Sequence, residues 1–165
     1  AIPHLLPAGR QFLMAGFKRP LSVLVIIHTP ALDVLLLERA SHPGYWQSVT
    51  GSQEDGESLR ETACREVKEE TGITALPDKF KDWNVTNTFE IFAEWRYRYA
   101  PGVTQNVEHV FSLEVPSFQA VRIAPDEHLA YCWLPWREAA EKCFSWTNRD
   151  AILMLPERTR SNQPA

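Results

Sequence analysis

Glu66, Glu69 and Glu70 constrain this chain more than any other residues, because their i, i+3, i+4 spacing gathers three carboxylates near one side of a helix. The helix itself is expected on separate grounds. Leu59, Ala63 and Val67 recur at helical spacing on another face, and Gly72 supplies a stop, which together predict a helix over Ser58–Thr71. Like charges so close repel. Charge runs are usually solvated surface, but a hard divalent cation with oxygen ligands would also offset the repulsion. The wider pattern favours the cation. It reads G-x5-E-x7-R-E-U-x-E-E-x-G-U, with U aliphatic, and is filled by Gly51, Glu57, Arg65, Glu66, Val67, Glu69, Glu70, Gly72 and Ile73. So many fixed identities at fixed intervals rarely arise by chance. A formal net charge of -4 gives no general attraction to nucleic acid or an anionic membrane, so any phosphate binding must come from local arrangement or from a metal.

With 165 residues, 44% of them hydrophobic, one domain with a core of ordinary size is expected. Its expected limits are a loosely ordered leader over 1–16, a domain over 17–155 and a frayed tail over 156–165, with Met14 a candidate natural start. Leu21–His28 and Val34–Glu38 are apolar and read as buried strands, with Pro30 and Asp33 marking the turn between them. Trp46–Ser52 reads as a short strand leading into a loop. Phe89–Tyr99 alternates aromatic and charged residues and reads as a strand with two working faces. Further strands are expected near Glu108–Val115 and Leu129–Leu134, and helices near Trp136–Phe144 and Asn148–Leu155. Such intermixing predicts the α/β (α+β) class, a mixed sheet with helices packed on it. Cys64, Cys132 and Cys143 form no paired motif, and no apolar run approaches the roughly 18 residues of a bilayer span. A soluble protein of a reducing cytoplasm is therefore expected, with neither nucleic acid nor membrane as a partner.

At every defined position the Gly51–Ile73 pattern resembles the Nudix box. The resemblance implies an α/β/α sandwich whose loop–helix–loop box holds Mg²⁺ or Mn²⁺ against a diphosphate. It implies Glu66, Glu69 and Glu70 as metal ligands and Arg65 as the group that orients a glutamate, Glu57 or Glu69. Gly51 would let the loop backbone approach the metal site.

Segments outside the box are similar to the branch of that family that acts on dihydroneopterin triphosphate: Phe17–Pro20, Trp46–Ser52, Phe89–Phe92, Arg98–Thr104, Glu127–Tyr131 and Ser145–Arg149. Val49-Thr50-Gly51 also stands where many nucleotide-cleaving relatives carry P-G-G. This narrower resemblance implies substrate contacts from Lys18, Arg39, Thr50, Phe89, Glu90, Ile91, Phe92 and Ser145, with Lys18 and Arg39 toward the phosphates. Glu127 would be a further metal ligand or the base for the attacking water. The bland alternatives are surface cations at Lys18 and Arg39, packing aromatics at Phe89 and Phe92, and a hydrogen-bonded structural histidine at His128. The expected reaction is hydrolysis of the pterin triphosphate to its monophosphate and pyrophosphate. A (deoxy)nucleoside triphosphate pyrophosphohydrolase and a non-hydrolytic Nudix-fold regulator are the rival readings.

Overall fold

A computed structural model describes residues 16–160. Apart from Gly16, the expected leader lies outside those residues, as do Met14 and residues 161–165. The sheet is mixed. Its strands are β1 (Leu21–His28), β2 (Asp33–Arg39), β3 (Trp46–Gln47), β4 (Val49–Ser52), β5 (Phe80–Glu90), β6 (Gln105–Glu114) and β7 (His128–Pro135). Five of them run in the order β3-β2-β1-β6-β5, while β4 pairs with β1 and β7 with β2. Among the described strands only β1 and β6 form a parallel ladder, bringing Ser22 opposite Glu108 and Leu24 opposite Val110.

β1 is buried on both faces, as its continuous apolar run requires. Val23, Val25 and Ile27 pack toward Ala63 and Val67 of helix α1 (Leu59–Thr71). Leu24 and Ile26 point the other way, into a cluster with Ala139 and Ala140 of α2 (Trp136–Lys142) and with Ala151, Ile152 and Leu155 of α3 (Trp146–Arg160). Helix, sheet and helix layers result, the α/β/α sandwich that was expected. The Ser58 hydroxyl caps α1 by accepting from the Glu61 amide, and Gly72 ends it at φ 75 while donating its N–H to the Lys68 carbonyl.

The structure departs from the expectations at four places. Phe89–Tyr99 is not a strand: β5 ends at Glu90, and Ala93–Arg98 forms a 3-10 helix. Its alternation imitates a strand, but Phe92 and Trp95, three apart, face a common aromatic cluster that includes Phe144. Most of β5 falls where no strand was expected, because a register shift between Asp82 and Thr86, with Asn84 at φ 54, breaks its alternation. Trp46–Ser52 splits into β3 and β4 on either side of Ser48, whose amide donates to the Asn148 side chain. Helix α3 continues through Pro156 to Arg160, inside the segment expected as tail. No helix among the described residues is long and apolar enough to cross a membrane.

Candidate active site

The box glutamates line one end of a cleft of about 1130 Å³ that is also walled by β1, β4, β6, the Phe89–Tyr99 segment and the start of α3. Helix α1 supplies Glu66 and Glu70 on the side that faces β4. Gly51 lies so close that a Cβ there would fall 2.1 Å from the Glu66 carboxyl carbon, so only glycine leaves room for this carboxylate against the strand.

Arg65 ties the acidic groups together. Its guanidinium donates to both Glu57 oxygens at 3.0 and 2.7 Å, to Glu66 at 2.9 Å, to Glu69 at 3.2 Å and to the Ser52 carbonyl at 3.0 Å. These bonds hold the Glu57 carboxyl down at about 2. Both glutamates expected as its partner are bound, Glu57 through a two-pronged contact and Glu69 through a longer single bond on the exposed side of the helix.

Glu70 is the buried member, 2% exposed, and shares a side-chain hydrogen bond with Glu66. Burial first, and then the neighbouring Glu66 and Glu127, push its carboxyl well above the usual range. One ligand atom each of Glu70, Glu127 and His128 lies within 4.8 Å of the others. Nε2 of His128 is 3.5 Å from Glu70, and burial, followed by the charge of Arg39, lowers this imidazole to about 4, so it is neutral near pH 7. Glu70 Oε2 and His128 Nδ1 are buried without a hydrogen-bond partner among the described residues. A buried acid with an unpartnered oxygen, crowded by two further carboxylates, is an arrangement that a divalent cation relieves. The donor set therefore fits a hard metal ion. Glu69, turned out onto Arg65, is not in the Glu70, Glu127 and His128 group.

The other expected residues also line the cleft. The Arg39 guanidinium lies 4.5 Å from the Trp95 ring centroid and donates to Gln47; a register shift at Glu38/Arg39, opposite His128, re-aims this strand end. Lys18 is fixed by its backbone N–H to the Arg98 carbonyl. Thr50 donates its hydroxyl to the Val23 carbonyl, and Ser145 Oγ is 2.9 Å from Thr147. Phe92 is exposed, Phe89 half-buried, and Glu90 accepts from Gln105. Ile91 is buried, with its amide donating to Thr104.

A NUDIX domain family model matches residues 18–155. The chain belongs to the Nudix family. It is 47% identical over 139 residues to the dihydroneopterin triphosphate diphosphatase of Escherichia coli, covering 82% of this chain and 91% of that protein. It is 40% identical over 144 residues to the Haemophilus influenzae protein of the same name, covering 86% and 90%. The solved structure of the E. coli dihydroneopterin triphosphate pyrophosphohydrolase superposes with a TM-score of 0.77 at 46% identity, covering 82% of this chain and 94% of that one. The chain is thus a Nudix hydrolase, of a family that generally uses divalent metal ions.

Sequence reasoning missed several residues of this Nudix cleft. His128 was expected to be structural, yet it sits against Glu70; its position beside Glu127 was the available signal. Asn106 and Glu108 also line the cleft and drew no attention, and Asn148, inside the noted Ser145–Arg149 segment, was not singled out as a site residue. Asn106 and Glu108 are two apart on β6, so they share a face with Val110.

Proposed function

We propose that this Nudix hydrolase converts 7,8-dihydroneopterin triphosphate and water to dihydroneopterin monophosphate and pyrophosphate, as a Mg²⁺-dependent enzyme of the cytoplasm within a single domain that runs from about residue 17 through α3. The observation that carries the reading is the buried Glu70, with an unpartnered oxygen, gathered with Glu127 and His128 beside the Arg65-bound glutamates. Relatives 40–47% identical over most of the chain, named for this reaction, supply the substrate.

Glu66 and Glu70 would hold the cation, Glu127 would be a further ligand or the base, and Glu69 would join them only by leaving Arg65; Mn²⁺ is able to replace Mg²⁺ at oxygen ligands. When bound, the cation neutralises charge on the phosphate oxygens as the bond breaks. Arg65 keeps Glu66 and Glu57 in fixed orientations throughout. Lys18 and Arg39 bind the phosphate chain. Water attacks phosphorus and the phosphoanhydride bond breaks to give the monophosphate and pyrophosphate; an acidic side chain, for which Glu127 is the best-situated exposed group, accepts the proton from the water. No serine or cysteine nucleophile is needed, and Cys64, whose Sγ donates to the Ala75 carbonyl, serves in packing.

The test is product analysis with Mg²⁺ and the pterin triphosphate. Monophosphate and pyrophosphate in equal amounts support the reading, whereas stepwise orthophosphate release, or binding without turnover, contradicts it.

A further inference from the structure

The end of the cleft away from α1 holds two hydrogen-bond acceptors that the chemistry above leaves unused. Glu108 is 4% exposed and Asn106 2%, and both line the cleft. One Glu108 oxygen accepts from Thr147, which in turn is 2.9 Å from Ser145. Its Oε1 has no partner among the described residues, and neither has Oδ1 of Asn106. The Asn106 amide nitrogen is committed to the Ser22 hydroxyl at 2.7 Å, which leaves its oxygen as the free group. Beside them Asn148 is anchored at both ends, accepting from the Ser48 amide and donating to the Ser48 hydroxyl. Buried acceptors without donors have lost their hydration with nothing in return, so a pair of them facing a cleft is suited to a ligand that brings the donors.

We propose that Glu108 and Asn106 form the ring-reading end of this cleft, accepting the N–H groups of a 2-amino-4-oxo edge, which a dihydropterin shares with guanine and which adenine lacks. That edge offers a ring N–H beside an exocyclic amino group, two donors side by side for a carboxylate. Adenine offers a bare ring nitrogen at the equivalent place, and its lone pair would face the Glu108 oxygen. Burial pushes the Glu108 carboxyl up to about 7 against the pull of the Thr147 hydrogen bond. Arriving donors favour its charged form. The aromatic group of Phe92, Trp95, Tyr45 and Phe144 adds apolar ring faces to the assembly, three of the four lining the same cleft.

The proposal rests on the pyrophosphohydrolase reading, and its test separates the two. At about pH 8 with Mg²⁺, kcat and KM are compared for GTP, inosine triphosphate, which lacks the 2-amino group, and ATP, in the native protein and in Glu108→Gln. Binding of guanosine and inosine monophosphates is followed by calorimetry in parallel. The native protein should favour guanine over inosine by about tenfold or more, mostly in KM and equally visible in binding. Glu108→Gln should flatten that ratio to within about twofold, and Asn106→Ser should reduce it in part. A native protein that binds and cleaves guanine, inosine and adenine compounds alike overturns the proposal without need of a variant. So does an unchanged ratio in a folded Glu108→Gln. If the pterin triphosphate is not cleaved but guanine selectivity stands and depends on Glu108, the substrate assignment fails and the ring-reading site survives. If the pterin is cleaved and selectivity ignores Glu108, the ring-reading site alone fails.

Discussion

The two ends of the cleft are built in opposite ways. At the α1 end, Glu57, Arg65, Glu66, Glu69 and Glu70 come from one short stretch of chain, and the Arg65 guanidinium connects three of the glutamates, with Glu70 joined through Glu66. At the far end, Ser22, Asn106, Glu108 and Asn148 come from β1, β6 and α3, with 84 residues separating Asn106 from Ser22 and 100 separating Asn148 from its partner Ser48. Both ends keep unpartnered buried atoms among the described residues, but the first is dense in charge, with Glu70 Oε2 crowded by further carboxylates, whereas the second sets the single carboxylate of Glu108 beside the neutral amide of Asn106. Bond-breaking chemistry common to a family can be carried by a local segment, while ring choice depends on how distant strands are brought into register.

Breaking the α1 end should have the largest effect. Glu70→Gln removes the buried carboxyl and should lower kcat on every substrate by about a hundredfold to a thousandfold, measured by pyrophosphate release at saturating Mg²⁺. Arg65→Lys replaces a five-donor fork with a point charge and releases Glu57 and Glu66. A loss of about tenfold to a hundredfold in apparent metal affinity is expected, read from Mg²⁺ titrations of activity and of thermal shift. Gly51→Ala sets a Cβ against the Glu66 carboxyl, and because that side chain is held by Arg65 it must leave its bond to make way. Activity should fall by about tenfold with a smaller change in Tm. All three should leave the ratio between pterin and nucleotide substrates nearly as it was, which sharpens the contrast between the ends.

The far end makes the smallest prediction, in stability. Glu108 has its folded pKa raised from 4.5 to about 7, so its contribution is fully present below about pH 4.5 and is lost as pH rises through about 7. Replacing it by Gln should therefore stabilise the fold more at pH 9 than at pH 5, by on the order of 1–3 kcal/mol, or a few degrees in paired melting curves.

How much of this was legible in the sequence follows the same division. Helix α1 and its glutamates depend on spacing within 23 residues, and the cap at Ser58 and the stop at Gly72 are local signals. β1 and β2 were equally readable, since continuous apolar runs survive any choice of partner strand. β5 was not, because the shift near Asn84 destroys its period, and Phe89–Tyr99 misled because its alternation serves aromatic packing beside Phe144. Glu108 looked like an ordinary strand carboxylate. Its burial comes from parallel pairing of β6 with Ser22 of β1 and from Thr147 of α3, none of which a local pattern reveals.

The division of labour between the two ends is tested most directly by kcat/KM for dihydroneopterin triphosphate, GTP and ATP, measured side by side in the native protein, Glu70→Gln and Glu108→Gln. The expected result is a strong native preference for the pterin, a collapse on all three substrates in Glu70→Gln, and in Glu108→Gln a loss concentrated in KM for the pterin and GTP. Equal or greater native turnover of ATP, or a Glu108→Gln variant that loses all three substrates in proportion, would contradict it.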